Sequence, residues 1–425
     1  MLDIKFIREN LELVKAGAIK KHIEVDLDAL MALDEKRREL TGQLEAKKAE
    51  QNKVSQEVAT ADAGTRMALI ERMKPLKEEI QKSEDELKDV LTEWRQVMVQ
   101  VPNIPDISVP EGDSDADNAE VRTWGEKSRF GFEPKSHIEL AELHDMADFE
   151  RGAKVSGFRG YFLKGMGVRL NFAIWNFVFD FIQKRDPAFV PLTVPSLVRR
   201  EPFIGTGYLP QGEDDLYKTQ DGDFLAGTAE VGAMGYYMDE VIDRSALPIK
   251  FLGFSPCFRR EAGSHGKDTK GLMRVHEFFK FEQIILCEAS HERSVAFHEA
   301  LLENAESIMQ ALKIPYHVVV NCAGDLGLGQ VKKYDIEAWV PSEKTYRETH
   351  SASYFHDFQT RRLNIRYRDA DGTLRFVHSL NNTAAATPRL LIPLIENNQQ
   401  EDGSIKVPEA LVPYMGGISI IGSAQ

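Results

Sequence analysis

The sequence predicts an α+β protein, with an N-terminal antiparallel two-helix coiled-coil arm ahead of a larger domain built on an antiparallel β-sheet flanked by helices. Three observations carry this. Two apolar seams with heptad spacing occupy the first hundred residues. After about residue 120, short alternating apolar stretches are joined by hairpin turns. Strongly apolar helical stretches interrupt them, which is the pattern of an α+β domain. The division falls near residue 102, giving domains at 1–102 and 103–425, with the hairpin arm at about 27–100.

At 425 residues the chain has room for two or three domains with a sizeable core. Hydrophobic residues make up 42% and charged residues 28%, as in ordinary globular proteins. A run of about 18 apolar residues is missing, which argues against a membrane span. The start, MLDIKFIRENLELVKAG, reads as neither a signal nor a transit peptide. Cys257, Cys287 and Cys322 are scattered and form no CxxC pair, which suits a reducing compartment. A net charge of −14 argues against wholesale coating of nucleic acid, so any RNA contact must use local basic patches.

The first seam runs Leu30, Leu33, Arg37, Leu40, Leu44, Lys47, Gln51, Val54, Val58. The second runs Leu69, Met73, Leu76, Ile80, Ser83, Leu87, Val90, Trp94, Val97. Both alternate steps of three and four. The Gly-containing segment TADAGT, residues 60–65, joins them as a turn. Some 30 residues per helix give an arm about 45 Å long. Pro75 predicts a kink or a late start in the second helix. Two basic clusters stand on the first helix: Lys36, Arg37 and Arg38, then Lys47, Lys48 and Lys53. By themselves they fit a solvated face, a scaffold or an RNA contact.

The prolines of VPNIPD, residues 101–106, end the arm, and the acidic segment 110–120 reads as an exposed linker or lid. Residues 168–185 predict an apolar helix, and FVPLTVPSLV at 189–198 an extended segment. Residues 272–283 and 317–325 predict strands, residues 362–381 a hairpin turned at DADG, and 388–399 a helix with proline in its first turn. Neither GxGxxG nor GxxxxGK[ST] occurs, so a Rossmann or P-loop phosphate site has no support.

The chemistry concentrates in CFRREAGSHGKDTKGLMRVHEFFKFEQ, residues 257–283. Arginine forks onto phosphate oxygens and keeps its charge. Arg259 before the turn and Phe278 after it suit a nucleotide, with Glu261 able to accept from an exocyclic amine. The alternative is a solvated loop whose Phe278 and Phe281 alternate into the core. His265 and His276 read as structural or RNA-contacting. Together with Cys257 they lack a fourth ligand at recognised spacing, so no zinc site is predicted.

Residues 257–278 resemble motif 2 of the class II aminoacyl-tRNA synthetases, and within them the bacterial-type seryl-tRNA synthetases. The similarity extends over essentially the whole chain. MLDIKFIREN resembles that family's start, the heptad hairpin its tRNA-binding arm and VPNIP its arm-to-core junction. RGYFLKGMGVRL and PLTVPSLV resemble its motif 1 region, GTAEV (227–231) its serine-binding loop, and residues 378–415 its motif 3 and C-terminal tail.

The resemblance implies ATP-dependent ligation of L-serine to serine tRNA through a seryl-adenylate, releasing AMP and pyrophosphate. It further implies serine charging of selenocysteine tRNA where the organism has one, recognition of the long variable arm of serine tRNA, and a cytoplasmic homodimer. Arg259, Glu261 and Arg389 take the catalytic positions. Arg259, Arg260, Glu261, Phe278, Glu348, Thr349, His350, Ser351 and Arg389 take the ATP positions, with Glu348 and Ser351 holding Mg²⁺ alongside the phosphates. Thr228, Ala229, Glu230, Arg259, Glu282 and Thr383 form the serine pocket, in which the roles of the two acids stay open. The basic residues Lys36, Arg37, Arg38, Lys47, Lys48 and Lys53 face tRNA. Two segments depart from the family text: ETHSASY (348–354) lacks the usual Cys and Asn, and NNTAAATPR (381–389) is poorer in glycine. Two other readings remain: a carrier-protein ligase derived from this fold, whose relatives generally lack the arm, and an inactive synthetase-like RNA-binding scaffold.

Overall fold

The computed structural model describes residues 1–263, 266 and 268–422, so His265 and Lys267 lie outside the described residues. The chain divides into two compact units. One comprises Asp3–Ile19 and Ile23–Val101, the other Met1–Leu2, Lys20–His22 and the chain from Pro102 onward.

In the helical unit, the long helices Leu27–Thr60 and Ala63–Met98 follow two short ones, Ile4–Glu9 and Leu11–Lys20. At 1.5 Å per residue the long helices each reach about 50 Å. Asp26 caps the first, accepting from Ala29 N at 2.8 Å. Asp62 caps the second, accepting from Gly64 N and Thr65 N at 2.9 and 3.0 Å. The connection is therefore only Ala61–Asp62, shorter than residues 60–65, because the Asp62 cap lets helix resume at Ala63. Pro75 does not delay the start of the second helix, which encloses it.

The seams bury Leu30, Leu40, Leu44 and Val54 on one helix and Ile80, Ser83 and Val90 on the other. Their polar interruptions meet partners. Lys47 Nζ donates to Ser83 Oγ at 3.1 Å, and the Arg37 guanidinium lies 5.5 Å from the centre of the Trp94 ring. Asp34, fully buried, pairs with Arg37 at 2.7 Å and with Arg8 at 2.9 Å. Ion pairs Lys36–Glu86, Lys48–Glu84 and Glu50–Arg72 descend the second helix as they ascend the first, so the helices run antiparallel.

The second unit is built on an eight-stranded sheet. In spatial order its strands are Ala119–Trp124, Tyr316–Val320, Lys332–Val340, Thr345–His356, His378–Thr387, Glu277–Cys287, Ile249–Phe258 and Phe189–Thr193. Neighbours are antiparallel except the last pair, where Phe189–Thr193 runs parallel to Ile249–Phe258. The helices Gly165–Arg185 and His291–Ala311 join the main core with Leu170, Ile174, Leu302 and Ile308. Among the described residues no helix is long and apolar enough to cross a membrane.

Several elements differ from the sequence expectation. The strand foreseen at 272–283 is Glu277–Cys287. Its first five residues are diverted: Leu272 N donates to His137 Nε2, and Met273 O accepts from Arg389 Nε. The helix foreseen at 388–399 is Leu391–Asn397, preceded by a turn in which Leu391 N and Ile392 N bond the carbonyls of Pro388 and Arg389. The 362–381 hairpin exists as Arg366–Arg368 paired with Leu374–Phe376, but in a separate small sheet with Val241–Asp243. The acidic 110–120 segment is exposed yet tied down, since Ala323 N donates to Pro110 O and Cys322 N to Asn118 Oδ1.

Candidate active site

Strand alternation builds the site. Along Glu277–Cys287, the odd positions Phe281 and Ile285 enter the main core, and Ile284 and Leu286 enter a second core on the other face. Phe278, Lys280 and Glu282 share that second face by the two-residue period. They sit beyond its apolar end and line cavities. Phe278 and Phe281 thus part, one to a cavity and the other to the core.

Two bulges aim the rest. On Thr345–His356, Glu348 stands opposite Glu337 and His350 opposite Ile336, which leaves Thr349 as the extra residue. Glu348, Thr349 and Ser351 all reach the cavity wall, while His350 is buried with Nδ1 on Thr349 Oγ1 at 2.8 Å. Burial drives the His350 pKa down to about 4. On His378–Thr387, Glu282 stands opposite Thr383 and Phe281 opposite Ala385, so Ala384 is extra and Thr383 is directed at the site.

The first cavity is lined by Arg259, Glu261, Phe278, Lys280, Glu348, Ser351, Thr383 and Arg389. The Arg259 guanidinium lies 5.3 Å from the centre of the Phe278 ring, and Nη2 reaches Gly227 O at 3.4 Å. A Cβ on Gly227 would meet Arg259 Cγ at 3.2 Å, so glycine there allows the arginine its place. Arg389 donates from Nε to Met273 O at 3.1 Å and from Nη1 to Glu348 O at 3.2 Å. Burial opposes ionisation of Glu348, but Arg389, Lys333, Arg259 and Lys280 outweigh it and hold its pKa below the usual value. Glu261 is engaged by Arg274 at 2.7 Å.

The second cavity, about 200 Å³, is lined by Tyr208, Glu230, Glu282, Gly327–Gln330, Ser353 and Asn381. It shares Arg259, Lys280 and Ser351 with the first. Its two acids are held differently. Glu282 is ion-paired with Lys280 and receives the Thr228 hydroxyl at 3.4 Å. Glu230 has neutral donors, Gln359 Nε2 at 2.6 Å and the Tyr208 hydroxyl at 3.1 Å. Burial pushes the Glu230 carboxyl up to about 7, with Glu282 adding to the rise. A third, wider space opens beside Arg389 and is lined by Arg274, Lys333 and Arg347.

Four of the residues singled out from sequence for ATP or serine stand apart from both cavities. Arg260 donates from Nη1 to Asp214 O at 3.2 Å, Ala229 is buried in the second core, Thr228 donates its hydroxyl to Glu282, and His350 is buried behind Thr349. His276 holds Arg259 O through Nδ1 at 2.9 Å. Lys280, which lines both cavities, was overlooked in the sequence reading, although it lies on the same strand face between Phe278 and Glu282. Of the basic residues on the arm, Lys36, Arg37, Lys47 and Lys48 already pair with Glu86, Asp34, Glu79 and Glu84. Arg38 and Lys53 have no acidic partner among the described residues and are exposed.

Arg259 just after the strand Ile249–Phe258, its aromatic partner Phe278 on the neighbouring strand and Arg389 just after His378–Thr387 fit a class II aminoacyl-tRNA synthetase core. Residues 217–398 match the family described as tRNA synthetase class II core domain (G, H, P, S and T), and residues 1–105 match the seryl-tRNA synthetase N-terminal domain. The serine–tRNA ligase of Deinococcus radiodurans is 46% identical over 423 residues, covering 99% of both chains. That of Dictyoglomus turgidum is 43% identical, covering 98% of both. The crystal structure of seryl-tRNA synthetase from Pyrococcus horikoshii complexed with ATP superposes with a TM-score of 0.90 at 37% identity over the full length of both chains. The chain belongs to the seryl-tRNA synthetase family.

Proposed function

We propose that this enzyme joins L-serine to serine tRNA in two steps, with ATP consumed in the first. The observation that carries the reading is the junction at Arg259, where a cavity with an aromatic wall and arginines meets a second one holding two buried acids. Phe278 offers a stacking face for adenine. Arg259 at the junction is placed to hold both the α-phosphate and the serine carboxylate. The carboxylate is ionised near neutral pH and needs no general base. Its oxygen bonds to the α-phosphorus as the bond to the β-phosphate oxygen breaks, and pyrophosphate leaves toward the space lined by Arg274, Arg347 and Arg389. The tRNA 3′-hydroxyl then attacks the acyl carbon, and AMP departs.

In the second cavity we assign Glu230 to the serine ammonium. The charge of Glu282 is balanced by Lys280, whereas Glu230 has only neutral partners and gains most from a cation. Glu282 and Thr383, facing each other across the ladder, read the hydroxyl. Alanine and glycine would deny both the partner that the serine hydroxyl supplies.

Glu348 and Ser351 are a hard oxygen pair on one cavity wall, and among the described residues no group of three His, Cys, Asp or Glu forms a metal cage. Such a donor set fits Mg²⁺, which takes one or two protein ligands together with substrate phosphates. Bound there, it would offset phosphate charge. The arm reads the long variable arm of serine tRNA by shape and backbone, and Arg38 and Lys53 are its most available charges. The same reading extends to selenocysteine tRNA where one exists. The enzyme works as a cytoplasmic homodimer. Incubation with ATP, radiolabelled serine and serine tRNA tests this reading: it predicts an alkali-labile ester on the terminal ribose. Transfer to a carrier protein with none to tRNA would replace it with the ligase alternative.

A further inference from the structure

Lys21 is 3% exposed, and no carboxylate pairs with it among the described residues. Its ammonium donates to the carbonyls of Gly327 at 3.0 Å, Leu328 at 3.3 Å and Gln330 at 2.5 Å. Asn103 holds the same loop: its backbone N–H donates to Leu328 O at 2.9 Å and its Nδ2 to Gly329 O at 3.1 Å. Nδ2 also reaches Phe355 O at 2.8 Å. Four consecutive carbonyls of one loop are therefore held by two residues.

Those residues stand where the chain leaves for the helical arm and where it comes back. Lys21 precedes the long helix that begins at Leu27, and Asn103 follows the one that ends at Met98. On its other side, the loop Gly327–Gln330 forms a wall of the cavity that holds Glu230 and Glu282. Gln330 ties it further, donating to Ser353 Oγ at 2.8 Å and accepting from Gly327 N at 2.6 Å.

Two glycines and no strand pairing would leave this loop free to move if its carbonyls were released. A lysine suits the task because an ammonium carries three donors and no acceptor. Burial alone lowers its pKa to about 7. An apolar side chain of similar length would avoid that penalty, but would orphan the carbonyls it meets.

We propose that Lys21 and Asn103 are positioning residues that set the wall of the amino-acid cavity from the roots of the arm, so that engagement of tRNA by the arm changes affinity for serine. The proposal rests on reading that cavity as the serine site. By linkage, serine then changes affinity for tRNA by the same factor, commonly about fivefold or more.

The test uses full-length protein, Lys21→Met and Asn103→Ala. Serine-dependent ATP–pyrophosphate exchange is measured with and without serine tRNA whose terminal ribose has been oxidised by periodate so that it cannot be charged. Both variants should raise the serine KM about tenfold, leaving kcat and the ATP KM within about twofold. Oxidised tRNA should shift the serine KM of the parent by about fivefold or more and leave that of the variants unmoved. Unchanged serine KM in both variants, a parallel loss in every constant, the same tRNA shift in variants and parent, or no shift in the parent would each overturn it. If Lys21→Met fails to fold, Asn103→Ala decides. Exchange by the parent upholds the serine site even when the coupling fails, and its absence would remove the site itself.

Discussion

Replacing Glu230 with glutamine should make the protein more stable and less active. The carboxyl is 4% exposed, accepts from Gln359 and Tyr208, and is pushed up to about 7 by burial and the nearby Glu282. Against the ordinary glutamate value of 4.5, a carboxyl at about 7 corresponds to about 3 kcal/mol. The folded-state pKa exceeds the unfolded one, so the contribution is fully present below the unfolded value. It is lost as pH rises to about 7. Glutamine carries no such loss and can still accept from Gln359. Its advantage should be absent near pH 4.5, grow to about 3 kcal/mol by pH 7 and stay level above. Thermal melting at pH 5 and pH 8 reads this as a higher Tm for the variant at pH 8 and little gain at pH 5. Exchange assays at pH 8 read the other half: without a counter-charge for the ammonium, the serine KM should rise roughly 10²-fold, with the ATP KM nearly unchanged. A variant no more stable than the parent at pH 8, or equally favoured at pH 5, would refute the burial argument. An unchanged serine KM would remove Glu230 from ammonium recognition.

Other substitutions probe the remaining assignments. Arg259→Ala should slow adenylate formation roughly 10²–10³-fold, as loss of one fixed donor at developing charge does; near-parental exchange by the folded variant would end that role. Thr383→Val keeps shape while removing a hydroxyl, so serine use should fall by more than alanine use. Equal falls in kcat/KM would show that Thr383 does not read the hydroxyl. Replacing residues 30–97 by a short flexible linker should spare exchange and severely reduce aminoacylation. Charge reversal at Arg38 and Lys53 should do part of the same and flatten the salt dependence. Undiminished charging by the armless protein would make the hairpin a structural rod.

What could be read from the sequence was whatever one local period encodes. The arm is a heptad repeat throughout, so its seam residues, even the polar Lys47 and Ser83, follow from spacing alone and meet in the structure. The face shared by Phe278 and Glu282 follows equally from the two-residue period, and the same rule would have pointed to Lys280 between them. The bulges at Thr349 and Ala384 could not be read, because an extra residue is defined only against its partner strand. The start of the strand at Glu277 rather than Leu272 was hidden for a similar reason. The backbone of 272–273 is claimed by His137 and Arg389, both more than a hundred residues away in sequence. Lys21 gave no signal either. Its partners are carbonyls, which carry no sequence identity.

The central claim is that the two cavities meeting at Arg259 form an aminoacyl-adenylate and that the one holding Glu230 and Glu282 selects serine. ATP–pyrophosphate exchange by the purified protein, run over serine, alanine, glycine, threonine and cysteine, tests it most directly. The account predicts rapid exchange with serine and far slower exchange with alanine and glycine, which offer no hydroxyl to Glu282 and Thr383. Exchange with no amino acid in the set, or exchange with alanine as efficient as with serine, would contradict it.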